Sequence, residues 1–254
     1  MLNHSVTDSS QLRLKGANVW RSLLVVCVGI FNTGCGGVFI HSNSHHHDIS
    51  LASEQLYAEK FAFITPSTIT GQEEDKQALA LIFTEALAQM YPDIHYISLA
   101  ETLSAVNKAG LTDEYRQMYE HYRYTGIFKR STLQKIGQVS GARYVVQLKL
   151  AGFEQGTEGR FGLLGWRIVD TKFAKIRLFV QVWDTAEGAI VWEATHEMNY
   201  AYDTIQETNV TFRNIVNVSA QEVLQLLPKR QQADSGAETA SKNLSLQSVP
   251  SLPK

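Results

Sequence analysis

Residues Lys175 to Asp203 read KIRLFVQVWDTAEGAIVWEATHEMNYAYD. Two runs alternate apolar and polar residues on either side of Asp184–Gly188, the period of a strand with one face buried. Ile176, Leu178, Val180 and Val182 share one side of the first run, and Trp192, His196, Met198 and Tyr200 share one side of the second. A turn-forming cluster between two such runs predicts a β-hairpin. The apolar register also makes His196 a structural histidine before it makes it a base.

Upstream of the hairpin, ARYVVQLKLAGF (Ala142–Phe153) begins a strand. It follows a helix bearing Leu133, Ile136 and Val139, opened by Ser131 with Gln134 and stopped by Gly141. Further back, KFAFITPS (Lys60–Ser67) reads as a short strand ended by Pro66. A helix with Leu79, Ile82, Phe83, Ala86, Leu87 and Met90 at helical spacing comes next, capped by Thr70 and Glu73. DIHYIS (Asp93–Ser98) is a second short strand, and Ser98 with Glu101 caps a helix that Gly110 stops. A tyrosine-rich helix starts near Asp113. Downstream of the hairpin, Thr204 and Glu207 cap a last helix through Phe212, Ile215, Val216, Val223 and Leu227, terminated by Pro228. The expectation is an α/β fold: a single domain over residues 57–228 with a mixed sheet of about five strands flanked by helices, in the order β-α-β-α-α-α-β-β-β-α.

At the amino terminus Arg13, Lys15 and Arg21 precede the apolar run Ser22–Phe31, after which Thr33 and Gly34 lead into Cys35. A basic segment followed by about ten apolar residues has the length of a secretory signal and is too short to span a bilayer. Here the chain resembles a bacterial lipoprotein signal, whose lipobox ends in a small residue and a cysteine that is acylated and becomes the first residue. The departure is Asn32, where such motifs carry Leu. The resemblance implies a signal peptide over 1–34, a palmitate-bearing Cys35 and attachment to the lipid bilayer. Gly36 in place of Asp implies sorting to the outer membrane, with the domain facing the periplasm. The alternative is an uncleaved inner-membrane anchor over Leu23–Ile40, although Asn32, Thr33 and four glycines make that stretch a poor helix.

The two cysteines are Cys27 and Cys35, so residues 36–254 hold no thiol, no disulfide and no cysteine-based zinc site. Without residues 1–34 the chain has 20 basic and 24 acidic residues, a net charge of −4. No basic field is present to recruit a phosphate backbone, and nucleic acid is not an expected partner. Residues 35–56, rich in Gly, Ser, Asn and His, read as a flexible tether. Within it His41, His45, His46 and His47 could chelate a metal, although a solvated spacer is the simpler reading. Residues 229–254 lack aromatics and periodicity and read as a disordered tail.

The element order, GARYVV opening a strand after a helix, and the VQVWDTAEGAIVWEA hairpin resemble periplasmic lipoprotein domains of the curli secretion channel and Tol translocation amino-terminal type. That resemblance implies a binding module that docks envelope proteins or its own copies, some relatives forming rings. No P-loop, dinucleotide glycine motif or nucleophile elbow occurs, so no cofactor and no catalysis are expected. The alternative is a metal-binding protein or small hydrolase using the histidine tract or His196. Two segments suit recognition. Tyr115, Tyr119 and Tyr122 form a helical stripe with Met118. Residues 154–170 read as a long loop with an apolar tip of Phe161, Leu163, Leu164 and Trp166, fit for a membrane interface or a neighbouring subunit.

Overall fold

The structure, a computed structural model, describes residues 38–163, 166–204 and 211–229, with the backbone alone at 38, 159–163, 166–170, 203 and 204. Cys35 with its signal-like segment, Leu164 and the tail from 230 onward lie outside these residues. In chain order the elements are β1 (Val38–Asp48), α1 (Ser53–Ala58), β2 (Phe61–Phe63), β3 (Ser67–Thr68), α2 (Glu73–Met90), β4 (Tyr96–Ile97) and α3 (Leu99–Lys108). There follow α4 (Thr112–Thr125), α5 (Arg130–Ser140), β5 (Tyr144–Leu163), β6 (Trp166–Asp184), β7 (Ala189–Thr204) and α6 (Phe212–Leu224). From Phe61 on, with the two-residue β3 set aside, this is the expected order.

The sheet has seven strands where about five were expected, arranged β1-β7-β6-β5-β2-β4, with β3 beside β5. β1, β7, β6 and β5 run antiparallel, while β2 pairs in parallel with both β5 and β4. Two corrections account for the extra extent. Residues 38–48, read as tether, form edge strand β1, paired with β7 without a register break from Val38↔Tyr202 to Asp48↔Trp192. An edge strand needs only backbone bonds to its neighbour, so this polar stretch carries no apolar alternation to reveal it. The expected loop over 154–170 is instead the far half of a β5–β6 ribbon that stays paired to Leu163↔Trp166. Its glycines are compatible with pairing. Gly156 lies beneath the Phe173 ring, where a Cβ would meet ring carbon at 2.6 Å.

The hairpin predicted from Lys175–Asp203 is present, and Ile176, Leu178, Val180 and Val182 are all buried on one sheet face. That face carries the main core with α1, α2 and α6: Phe83, Leu87, Val216 and Val223 pack on Leu148, Val180 and Trp192. On the other face a smaller cluster joins α3, α4 and α5 to Val145 and Trp183 through Met118, Phe128, Leu133 and Ile136.

Helix starts differ from the sequence reading in three of four cases. Ser98 caps α3 as expected, accepting from the Glu101 amide while its own amide donates to Glu101 Oε2 at 2.9 Å. For α2 the boundary residue is Gln72, and Thr70 Oγ1 donates to Asp75 Oδ2 instead. Ser131 lies inside α5, and Gln134 Nε2 donates to the Ala186 carbonyl at 2.9 Å, tying the helix to the β6–β7 turn. Thr204 closes β7; α6 starts at Phe212, capped by Thr211, whose Oγ1 accepts from the Asn214 amide. In the last two cases tertiary contacts decide where the helix begins. Among the described residues no helix is long and apolar enough to cross a membrane.

Candidate functional site

Opposed residues in an antiparallel sheet point to the same face, so the register alone sorts the strands. Helices line one face of β5, β6 and β7 and meet the other only near its Tyr144–Asp184 end. The remainder of that second face is bare. Its first row is Gln181, Glu193 and His47, beside Gln147, which is itself buried under Tyr119 and Ser67; the next is Lys149, Phe179, Thr195 and His45. Beyond these come Arg177, Glu197 and Asn43, then Lys175, Asn199 and His41.

Within these rows the charges balance. Lys149, Lys175 and Arg177 stand against Glu154, Glu193 and Glu197, with Arg177 Nε 2.6 Å from Glu197 Oε1 and Lys175 Nζ 3.6 Å from Glu154 Oε2. Phe179 is 37% exposed at its centre, with Lys149 Nζ 5.9 Å from its ring centroid. The sequence carried a signal for it, an aromatic residue in the polar register between Arg177 and Gln181.

The tyrosine stripe of α4 borders this face but turns inward. Tyr115 and Met118 are buried, and Tyr119 and Tyr122 pack on Phe128, the Tyr122 ring stacked at 4.2 Å. Tyr115 Oη accepts from the Thr65 amide at 2.9 Å. Tyr122 Oη donates to Gln181 Oε1 at 3.1 Å, and Gln181 Nε2 donates to Glu193 Oε2 at 3.2 Å. Burial pushes the phenols of Tyr115, Tyr119 and Tyr122 above the ordinary tyrosine value, Tyr119 well above it, so all three stay protonated. Reading these tyrosines as an outward interface is therefore corrected. A helix over a sheet buries its apolar stripe, and the phenol oxygens find polar partners at the stripe's edge.

Alternation along β1 also divides the histidine tract. His41, His45 and His47 lie on the bare face; His46 lies on the opposite one, with Nε2 3.6 Å from Asp48 Oδ2. No grouping of three or more His, Cys, Asp or Glu able to hold a metal forms among the described residues. His196 is fully buried. Its Nδ1 is 2.8 Å from Ser44 Oγ and 3.9 Å from Glu222 Oε2, while Nε2 has no hydrogen-bond partner. A Ser-His-acid relay requires the hydroxyl and the carboxylate on opposite ring nitrogens. Here both address Nδ1, an arrangement that positions a ring and does not activate a nucleophile. Burial lowers the His196 pKa from its usual value, with Glu222 opposing.

Of the apolar residues read as a loop tip, Phe161, Leu163 and Trp166 lie on the paired strands of the ribbon. The structure does not bring them together with the α4 tyrosines: the ribbon end and the Tyr144–Asp184 end are opposite ends of β5 and β6.

No protein-family model matches the chain, and no curated protein matches it in sequence. Solved structures are similar in shape. A PelC dodecamer from Paraburkholderia phytofirmans has a TM-score of 0.42 and 15% identity, over 75% of this chain and 100% of that one. Lipoprotein GNA1162 from Neisseria meningitidis has a TM-score of 0.36 and 10% identity, over 66% and 96%. The LpoB C-terminal domain from Salmonella enterica has a TM-score of 0.32 and 15% identity, over 57% and 86%. These are distant likenesses, below the level at which a function passes from one chain to another.

Proposed function

We propose that the chain is an envelope lipoprotein, held at the outer membrane through an acylated Cys35, whose periplasmic domain binds a protein partner through the bare face of its sheet. The carrying observation is the half-covered sheet, which leaves a broad surface with an exposed aromatic at its centre and charged residues of both signs around it. Balanced charge suits another protein surface better than a polyanion. Two further facts support the reading. Cys35 is the last thiol of the chain and stands three residues before β1, and His196, the one histidine in an apolar register, is sealed from any substrate.

A photo-crosslinking residue placed at Phe179 or Thr195 in the native host should give one discrete product, whereas the same residue at Leu81, exposed on α2, should give none. A product of twice the chain mass identifies a homo-oligomer. Equal products from all three positions, or none from the first two, refute the binding face. The mass of the mature amino terminus tests the anchor separately. Acylated Cys35 as first residue supports it, and retention of residues 1–34 points to the inner-membrane alternative.

A further inference from the structure

From His41 to His45 the chain reads HSNSH, the same in both directions about Asn43. The stretch lies in β1, which ends the sheet, and among the described residues no strand pairs with its outer edge. Edge strands are ordinarily guarded against a further strand by lysine, proline, a bulge, shortness or a covering element. β1 has eleven residues, pairs with β7 without a register break and contains neither lysine nor proline. We propose that two copies of the chain join antiparallel along β1 with a two-fold axis at Asn43, and that the histidines brought together there bind a divalent metal of the zinc class.

The backbone is set for this pairing. Ile49 N donates to the Val191 carbonyl at 3.1 Å, one step beyond the Asp48↔Trp192 pair. Backbone groups alternate in direction along a strand, so the odd-numbered residues of β1 face β7, while Val38, Ile40, Ser42, Ser44, His46 and Asp48 present N–H and C=O outward. An axis at Asn43 is the register that uses all of them, each against an outward residue of the second copy, for about twelve hydrogen bonds. Asn43 then meets its own copy, Ser42 meets Ser44, and His41 meets His45. The contact is isologous and closes at two copies. It also lays Phe39 and Ile40, 60% and 50% exposed, against His47 and His46 of the second copy.

Opposed residues share a face, so the bare faces of the two sheets become continuous, and His41 of one copy joins His45 and His47 of the other there. His45 and His47 are about 7 Å apart along the strand, and the second copy's His41 stands about 4.5–5.5 Å across from His45. Three imidazoles so spaced match a three-nitrogen zinc set, and the axis generates the site twice. Glu193, directly opposite His47 on β7, supplies a carboxylate beside it. Within one chain His41 is about 14 Å along the strand from His45, and no three-ligand grouping forms among the described residues. The second copy completes the site. With the axis normal to the bilayer both Cys35 residues stand at one height, so the pairing is compatible with the anchor and does not depend on it.

The test uses the full chain, purified from membranes in detergent. Residues 36–254 have no cysteine, so Asn43→Cys and Phe39→Cys each add one thiol there, and the unsubstituted chain reports any disulfide made by Cys27 or Cys35. In the paired dimer the two copies of residue 43 are about 4.5 Å apart at Cα, within disulfide reach, whereas the two copies of residue 39 are about 27 Å apart. Mild oxidation should therefore link Asn43→Cys into dimers several-fold faster than Phe39→Cys; equal rates overturn the pairing. In calorimetry the unsubstituted chain should take up about one Zn²⁺ per chain, and in sedimentation Zn²⁺ should tighten the dimer about tenfold or more over EDTA. His45→Gln should lose both effects and His46→Gln, on the opposite face, neither, with unchanged emission of Trp183 and Trp192 showing that both variants are folded. No zinc uptake, uptake without a tighter dimer, or equal losses in the two variants overturns the metal site.

Discussion

Replacing His196 with Gln should remove most of the pH dependence of stability between about pH 6.5 and pH 5, the range in which an imidazole changes charge. In the fold the ring is buried, held by Ser44 at Nδ1, and has no acceptor at Nε2 for the second N–H of an imidazolium. Of the groups facing it, Ser44 on β1 is neutral and Glu222 on α6 is the carboxylate that favours the charged form. Desolvation outweighs it and the folded pKa is lowered. The sign follows: below the unfolded value the unfolded chain binds a proton that the folded chain refuses, so stability is full above about pH 6.5 and falls as pH drops. The slope approaches about 1.4 kcal/mol per pH unit until the folded pKa is reached, after which this contribution is flat. Denaturant titrations at several pH values, followed by emission of the buried Trp183 and Trp192, measure it. The Gln variant should start less stable by about 1–3 kcal/mol and lose the slope. A native chain with no slope between pH 6.5 and 5, or a variant that keeps it, refutes the assignment to His196.

Two further substitutions probe the packing. Phe83→Ala removes a fully buried ring facing the central strands and should cost about 3–5 kcal/mol in the same titration. Gly188→Ala should destabilise by more than about 1 kcal/mol, because φ at Gly188 is +68° and the added Cβ would meet Arg130 Cβ at 2.7 Å.

Sequence reading succeeds where side chains alone decide the outcome. The alternation in Lys175–Asp203 and the helical spacing of Leu79–Leu87 each mark a face that must be buried, and both elements are present. It fails where the partner decides. Beyond Val38–Ile40, nothing in VFIHSNSHHHD favours a strand by itself; β7 imposes one by offering an edge. The glycines at 156, 159 and 162 signal a turn locally, yet pairing between β5 and β6 carries the strand through them. The two helix starts misplaced by tertiary context follow the same rule: Gln134 is drawn to Ala186, and β7 runs on through Thr204. The candidate surface divides likewise. The α4 tyrosines look like an interface in sequence because Tyr and Met serve cores and interfaces alike, whereas the bare face is recognisable only once the helices that fail to cover it are placed.

Turning a tether into a strand changes what the anchor can do. A flexible linker over residues 35–56 would let the domain search a wide shell of periplasm, giving a tethered partner a low effective concentration. If Cys35 carries the proposed lipid, β1, starting three residues after it, confines the domain close to the membrane. A binding face held at a fixed height favours partners that are themselves membrane-bound, since both are then restricted to one layer and encounter becomes nearly two-dimensional. Lengthening the link by inserting a Gly/Ser segment between Gly37 and Val38 should therefore weaken crosslinking at Phe179 in the native host while leaving the sheet intact, as read by unchanged emission of Trp183 and Trp192. Undiminished crosslinking after insertion identifies a freely diffusing partner, and the height set by β1 then has no part in recognition.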